Sequence, residues 1–163
     1  MRFFPLFFTG WDETLLFWDL RVPQKENPIS YIYGPLICGE ALDVKGDYIL
    51  TGSWRDKQQL EVWDMRKMQL LNSLEWTPQK TDDKSYIYSA QFSKLSQNYI
   101  IAGSSGASEI RIYQLRNEAL YQYECVEILK DLTRSVYTID FCHETNTFVY
   151  GDGNGKVGIV DIL

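Results

Sequence analysis

The stretch that decides the fold is residues 48–66, "YILTGSWRDKQQLEVWDMR". It begins with an apolar run that ends at Gly52, passes through a polar turn, and closes with a second apolar run on Trp63-Asp64. Short runs of β-branched and aromatic residues separated by glycine and polar residues are typical of antiparallel strands. Residues 48–66 therefore predict a β-hairpin.

The same layout recurs along the chain. Three further copies are residues 6–21, "LFFTGWDETLLFWDLR", residues 99–116, "YIIAGSSGASEIRIYQLR", and residues 147–162, "TFVYGDGNGKVGIVDI". The residues that mark the ends of the four copies are 45, 50 and 47 positions apart, and they are Trp18, Trp63, Tyr113 and Val160. A repeat of about 40–50 residues is typical of propellers and related arrays.

Further β-type runs flank these hairpins. Runs that precede the last three hairpins are residues 38–44, 86–92 and 136–141, and runs that follow the first three are residues 29–34, 68–76 and 120–129. Each complete unit thus predicts four strands. The whole chain gives three, four, four and three strands, 14 in all.

The glycine-rich segment 151–156, "GDGNGK", has three possible interpretations. A phosphate-binding loop is followed by a helix, whereas a β-type run over 157–160 follows this one. A calcium loop starting at Asp152 needs a bidentate glutamate at its twelfth position, which is Leu163 here. The segment is therefore predicted to be the turn between the second and third strands of the last unit.

Two Trp-Asp dipeptides and the residues around them resemble the repeat motif of a known family. Trp18-Asp19 and Trp63-Asp64 close the first two hairpins, within patterns such as "TGSWRDKQQLEVWD" and "FSKLSQNYIIAGSSGASEIRIY". These patterns resemble the WD40-repeat β-propeller family, and the resemblance covers almost the whole chain. It implies an all-β fold of four-stranded antiparallel blades around an axis. Together with the strand tally, it predicts a partial β-propeller of about three and a half blades.

The resemblance implies a single domain over 1–163, with blades at approximately 1–34, 36–76, 86–129 and 135–163. Propeller rings have about four to eight blades, so the predicted strands do not complete one. We therefore expect the chain to be the C-terminal half of a propeller. The missing blades would come from another chain or segment, or would have been lost by truncation.

The family often ties each blade together with a hydrogen-bonded set of His, Ser or Thr, Asp and Trp. The resemblance carries this role to Thr9, Asp12, Trp18 and Asp19 in the first copy. In the second copy it points to Trp63 and Asp64, with Thr51 or Ser53 as the hydroxyl. Only Tyr113 and Asp161 correspond in the last two copies, and no Gly-His pair precedes any first strand. The blades are therefore expected to depend mainly on apolar packing.

In this family, two sets of turns lie on one face of the propeller: those between second and third strands, and those that lead into first strands. In this sequence these turns carry Trp11, Trp54, Arg55, Tyr86, Ser105 and Arg134. Tryptophan, tyrosine and arginine are the residue types that most often anchor protein interfaces. These six residues are therefore the candidate protein-binding positions.

Catalytic chemistry has little support in the sequence. The single histidine, His143, follows a predicted strand in a turn, and no G-x-S-x-G motif is present. The three cysteines, Cys38, Cys125 and Cys142, are far apart and form no metal-binding motif. We expect no catalytic residues, no cofactor and no metal site.

Composition limits the partners. The formal net charge of −6 argues against a nucleic-acid partner. The apolar start, residues 1–8, is short and contains Pro5, and no other run has transmembrane length, so we expect no membrane insertion. Widely spaced cysteines, odd in number, favour reduced thiols and a cytoplasmic location. A more specific expectation is that the protein belongs to a cytoskeletal or ciliary assembly.

The expected function is a non-catalytic scaffold or adaptor that binds other proteins within a larger complex. Two alternatives from other classes stay open. One is a small-ligand or glycan binder that uses Trp11, Trp54 and Trp76 as stacking platforms. The other is a hydrolase at the propeller mouth that uses His143 or Asp152.

Overall fold

A computed structural model describes residues 5–22, 27–76, 84–95 and 98–162. These residues form 14 β-strands in four antiparallel sheets, each with its strands in chain order, and no helix is found among them. Residues 1–4 and 163, at the predicted ends of the first and last blades, lie outside the described residues. The prediction of an all-β fold of unclosed, antiparallel three- and four-stranded blades is confirmed.

We number the sheets as blades in chain order. Blade 1 contains β1 (Pro5–Thr9), β2 (Thr14–Asp19) and β3 (Ser30–Tyr33). Blade 2 contains β4 (Leu42–Lys45), β5 (Tyr48–Gly52), β6 (Leu60–Asp64) and β7 (Gln69–Leu74). Blade 3 contains β8 (Ile87–Phe92), β9 (Tyr99–Ser104), β10 (Ile110–Asn117) and β11 (Gln122–Leu129). Blade 4 contains β12 (Val136–Phe141), β13 (Thr147–Asp152) and β14 (Val157–Asp161).

Burial along the strands shows which blades have neighbours on both sides. Every residue of β6 is buried, and so are the first four residues of β10, because blades 2 and 3 are each covered on two faces. In contrast, burial alternates along β2 and β14. Alternation is expected where a sheet packs on one face only, so blades 1 and 4 each present an open face.

Apolar clusters join the blades in pairs. Leu15 and Ile32 of blade 1 pack with Ile49 and Trp63 of blade 2. The cluster between blades 2 and 3 is larger, and the one between blades 3 and 4 consists of Ile101, Ile110, Ile112, Val136, Ile139, Phe141 and Phe148. Each large apolar side chain taken out of water contributes roughly 1.5–3 kcal/mol, so these clusters are the main source of stability.

Two of the repeated glycines have a packing role. A Cβ on Gly52, at the end of β5, would lie 2.4 Å from Ile87 Cγ2 of blade 3. A Cβ on Gly103 in β9 would lie 2.6 Å from Val136 Cγ1 of blade 4. The glycines thus let the next blade approach closely, whereas the sequence had suggested only that they mark turns.

The first strands of blades 2, 3 and 4 lie side by side. β4 contacts β8, β8 contacts β12, and Glu40 forms a parallel bridge with Ser89. The Ala90 backbone N–H also donates to the Glu40 carbonyl at 3.1 Å. We call the solvent-facing side of these three strands the axial surface, because first strands line the axis of a propeller.

Candidate functional site

The Trp-Asp positions form the predicted hydrogen bond in blade 2. The Trp63 indole N–H donates to Thr51 Oγ1 at 3.0 Å, and both residues are buried. Ser53, the alternative hydroxyl, has a buried Oγ that makes no hydrogen bond within the described residues. Thr51 is therefore the partner of Trp63.

Blade 1 lacks the corresponding bond. Trp18 Nε1 and Thr9 Oγ1 are both buried and make no hydrogen bond to any described residue. Thr9 pairs with Leu15, three positions before Trp18, so Thr9 and Trp18 point to opposite faces of the sheet. Thr51 pairs with Glu61, two positions before Trp63, and therefore shares a face with it. The Thr9–Trp18 hydrogen bond suggested by the sequence is therefore a wrong prediction. The strand partner of Thr9 is three residues before Trp18, whereas the strand partner of Thr51 is two residues before Trp63, and only an even separation keeps two side chains on one face.

Two of the predicted aspartates, Asp12 and Asp64, hold turns. Asp12 Oδ1 accepts the Thr14 backbone N–H at 3.2 Å, and hydrogen bonds from Thr14 lower the pKa of Asp12. Asp64 Oδ1 accepts the backbone N–H groups of Arg66 and Lys67 at 2.8 and 3.0 Å. Carboxylates in such positions fix the backbone of a turn.

Asp19 and Asp161 bind neighbouring side chains. The Arg21 guanidinium donates to both carboxylate oxygens of Asp19 and lowers its pKa to about 2. Asp161 Oδ1 accepts the Thr147 hydroxyl at 2.6 Å. Tyr113, the third-copy equivalent of the tryptophan, donates its hydroxyl to the Glu75 carbonyl at 3.3 Å, and burial raises its pKa.

The glycine-rich segment forms the β13–β14 turn. Asp152 Oδ1 accepts the backbone N–H groups of Asn154 and Lys156 at 2.9 and 3.0 Å, and its Oδ2 accepts the Thr133 hydroxyl at 3.0 Å. Burial opposes ionisation of Asp152, but these hydrogen bonds outweigh it and lower the pKa. The carboxylate is thus occupied by the turn itself.

Five aromatic side chains form one continuous row across all four blades. The Trp11 ring lies 5.5 Å from Trp54, and Trp54 lies 5.0 Å from Tyr86 and 4.9 Å from Tyr88. Tyr88 lies 4.7 Å from Tyr137. We call Trp11, Trp54, Tyr86, Tyr88 and Tyr137 the aromatic strip. Its ends are open to solvent, since Trp11 is 64% and Tyr137 48% exposed.

The position of each ring follows from its local backbone. Trp11 and Trp54 lie in the turns after β1 and β5, and Tyr86 directly precedes β8. The strand register shifts between Ile87 and Ser89, and again between Val136 and Thr138. Such irregularities re-aim a side chain, and they occur at Tyr88 and Tyr137. The sequence pattern missed these two tyrosines, although each is the second residue of the first strand of its blade.

Of the other three face candidates, two form hydrogen bonds with neighbouring residues, and the third lies beside Tyr137 against Gly153. Arg55 donates to Glu61 Oε2 at 2.7 Å and to the Gln58 carbonyl at 2.8 Å. Burial raises the pKa of Glu61, and the Arg55 charge opposes that shift. Ser105 donates its backbone N–H to the Tyr86 carbonyl at 2.9 Å, which fixes the backbone beside the strip. Arg134 is exposed and lies against Gly153.

Neither a metal-binding cluster nor a membrane-spanning helix is found among the described residues. No group of three or more His, Cys, Asp or Glu side chains there is close enough together to hold a metal ion. Nor do the described ranges contain a helix of the length and apolar character that a bilayer span requires.

Several solved structures have a similar fold. The chain matches the computationally designed Ika4 protein with a TM-score of 0.69 and 20% identity, over 98% of this chain and 86% of that one. It matches the WD40 β-propeller domain of Doa1 with a TM-score of 0.72 and 17% identity, over 96% of this chain and 47% of that one. It also matches a chain of the Mitotic Checkpoint Complex with a TM-score of 0.77 and 13% identity, over 97% of this chain and 45% of that one.

These likenesses concern the fold. No family model and no curated protein matches the chain. The chain spans about half the length of the Doa1 and Mitotic Checkpoint Complex chains that it resembles. The strand order, the unclosed arrangement of the four blades and these neighbours together show that the protein is a partial β-propeller with a WD40-like fold.

Proposed function

We propose that the protein is a non-catalytic scaffold or adaptor that binds other proteins through the aromatic strip. The observation that supports this most directly is the row of five rings from four different blades, exposed at both ends. Large aromatic side chains supply much contact area and carry most of the binding energy of interfaces. A WD40-like fold, of the kind found in a protein of the Mitotic Checkpoint Complex, is consistent with a scaffold role.

The strip suits a protein partner better than a single small ligand. Its rings contact one another edge-on or stacked at 4.7–5.5 Å, so no ring-sized gap separates them. A ligand sandwiched between two facing rings would need a space between them, which the strip does not have. The strip instead presents a row of ring edges and faces to a partner that extends along it.

The test compares two equally exposed side chains at opposite ends of the blades. Proteins captured with the tagged chain from cell extract are identified, and the purified partner is titrated against variants. Trp11→Ala should weaken binding by about tenfold or more, as truncation of an interface anchor does. Leu120→Ala in the β10–β11 turn is the matched control, since Leu120 is 66% and Trp11 64% exposed.

The outcome is decisive in either direction if all three variants, Trp11→Ala, Tyr137→Ala and Leu120→Ala, keep the wild-type circular dichroism. Loss of binding in Trp11→Ala and Tyr137→Ala, with Leu120→Ala unaffected, supports the strip as the docking surface. Wild-type affinity in both strip variants would contradict it.

We further propose that another chain or segment covers the open faces of blades 1 and 4. On blade 1 the open face carries Leu6, Phe8, Tyr31 and Tyr33, and on blade 4 it carries Val149, Val157 and Ile159. Apolar sheet faces of this kind usually mark a contact surface. Further propeller sheets are the proposed covering, because the inner blades cover one another in the same way.

Light scattering after size-exclusion chromatography tests this second surface. The isolated chain should self-associate or aggregate, and Ile159→Lys should reduce this tendency. Val126→Lys, on the outer strand β11, is the control and should leave it unchanged. A compact, monodisperse wild-type monomer at high concentration would contradict the proposal.

A cytoplasmic location, with a cytoskeletal or ciliary assembly as its setting, is also proposed. Cys38, Cys125 and Cys142 are free thiols, which is consistent with a reducing compartment. Imaging of the fluorescently tagged protein in a ciliated cell line tests both points. A signal confined to secretory compartments would refute the first, and a diffuse signal without ciliary or filament enrichment would refute the second.

A further inference from the structure

A cavity of about 390 Å³ lies at the boundary between blades 1 and 2. Its apolar lining comes from the end of β2, the residue before β3 and the turn between β6 and β7. These segments are at the ends of the strands opposite the turns that carry Trp11 and Trp54. Both blades belong to this chain, so sheets that cover the open faces of blades 1 and 4 would leave the cavity accessible.

The cavity has an apolar floor that is continuous with the core. Phe17 and Met65 are buried, and the half-buried Met68 packs against the same apolar cluster as Met65. Ile29, at the rim, is 47% exposed. Methionine side chains are flexible and polarizable, so they adapt to an incoming side chain and contact aromatic rings favourably.

The next boundary, between blades 2 and 3, has an aromatic ring at the corresponding place. Tyr121 in blade 3 and Met68 in blade 2 are each the last residue of the turn between a third and a fourth strand, with φ angles of 48° and 51°. The Tyr121 ring lies 4.3 Å from Tyr48, the first residue of β5. Its backbone carbonyl accepts the Asn72 side-chain amide at 2.9 Å. The first residue of β1, which corresponds to Tyr48, is Pro5.

The outer strand also differs between the two boundaries. Ser30 pairs with Phe17 just as Asn72 pairs with Val62, and Phe17 and Val62 each directly precede the tryptophan of their hairpin. A serine therefore stands where blade 2 has the asparagine that holds the turn of blade 3. With serine, proline and Met68 in place of asparagine and two tyrosines, the boundary between blades 1 and 2 keeps a cavity where the other has packed rings.

Two cationic side chains lie at the rim. Arg66 and Lys67 line the cavity and are exposed, and no aspartate or glutamate of the described residues lines it. Arg66 has a weak ion pair with Asp47, at 3.4 Å between two largely exposed side chains. Lys67 forms no ion pair with any residue that the structure describes. In a chain of net charge −6, this rim is locally positive and suits an anionic group beside an apolar one.

We propose that this cavity binds a segment of a partner protein in which an aromatic side chain stands next to an acidic residue. The ring takes the place that Tyr121 has at the neighbouring boundary and packs against Met65 and Met68. The carboxylate pairs with Lys67 or Arg66, which adds specificity more than affinity. The cavity is thus a second contact surface, at the opposite end of the blades from the aromatic strip.

The first experiment titrates three acetylated and amidated pentapeptides into the full chain, labelled with ¹³C at its methionine methyl groups. The first peptide is Gly-Glu-Tyr-Glu-Gly, the second has glutamine for both glutamates, and the third has alanine for the tyrosine. The first peptide should shift the methyl signals of Met65 and Met68. The alanine peptide should bind at least about tenfold more weakly, because it buries no ring. The glutamine peptide should bind about threefold to tenfold more weakly.

The second experiment changes the cavity. Arg66→Gln with Lys67→Gln should weaken binding of the first peptide by about threefold to tenfold. Lys57→Gln with Lys156→Gln removes the same charge from exposed turns at the other end of the blades and should leave the affinity unchanged. Met68→Tyr introduces the residue that blade 3 has in this turn, so it should fill the cavity and abolish binding. Circular dichroism establishes that each variant is folded.

The proposal is overturned if the three peptides bind equally, or if the methyl signals of Met65 and Met68 stay in place. It is also overturned if the Lys57/Lys156 variant weakens binding as much as the Arg66/Lys67 variant, or if folded Met68→Tyr binds the first peptide as the wild type does. These outcomes are scored on the methyl groups of the cavity alone, so they are independent of whether the aromatic strip binds a partner.

Discussion

Substitution of Thr51 by valine tests whether the hydrogen bond of blade 2 stabilises the fold. Valine keeps the shape of threonine but cannot accept the Trp63 indole N–H, which now lies 3.0 Å from Thr51 Oγ1. Thr51 is fully buried and Trp63 is 9% exposed, so water cannot replace the lost acceptor. A buried donor left without a partner costs about 1–3 kcal/mol.

Thr9→Val in blade 1 is the matched control. Thr9 Oγ1 is buried and makes no hydrogen bond to any described residue, so its removal should leave the free energy of unfolding unchanged or slightly raise it. Urea unfolding followed by circular dichroism measures both variants. A loss of 1 kcal/mol corresponds to a fall of about 2–4 °C in Tm for a chain of this size.

A double-mutant cycle isolates the bond itself. In a Trp63→Phe background the donor is already absent, so Thr51→Val should cost much less than in the wild type. Equal costs in the two backgrounds, or equal costs for Thr51→Val and Thr9→Val, would refute the reasoning from the register of the two blades.

Three further predictions concern packing and ionisation. Gly52→Ala should destabilise the chain by about 1–3 kcal/mol because its Cβ would lie 2.4 Å from Ile87 Cγ2, while Gly10→Ala, with nothing within 4 Å, should have little effect in the same urea assay. Arg21 lowers the pKa of Asp19 from 3.8 to about 2. The stabilisation of the fold by the Asp19–Arg21 interaction is therefore present above pH 3.8 and is lost as the pH falls towards 2. The difference in Tm between wild type and Asp19→Asn should shrink over that window. Burial raises the pKa of Tyr123 to about 12, so Tyr123→Phe should remove a phenolate absorbance step near that pH and leave the earlier steps intact.

The sequence predicted the fold well because its signals are local. The hairpin pattern of residues 48–66 depends on alternation and turn chemistry within one blade, and the same pattern recurs in all four. Within the described residues, the sheets contain three, four, four and three strands, as the sequence predicted. The assignment of 1–163 to a single domain, with its blade limits, stays a prediction.

The site was less accessible from the sequence because it depends on register. Trp11, Trp54 and Tyr86 were found from the positions of turns, but Tyr88 and Tyr137 join them through strand irregularities that composition does not show. Register also separates Thr9 from Trp18, which the spacing in the sequence had seemed to bring together. Gly52 and Gly103 show the same limit, since the residues that require them belong to the next blade.

The aromatic strip takes its rings from four sheets whose apolar clusters join them in neighbouring pairs. In a linear array of this kind, a terminal unit can open while the rest remains folded. A molecule that contacts Trp11 and Tyr137 at once would bind only when both terminal sheets are in place, so its binding free energy would oppose fraying at both ends. Binding of the partner would then stabilise both terminal blades at once. Amide hydrogen exchange in β1 and β14 should therefore slow together when the protein is saturated with its partner.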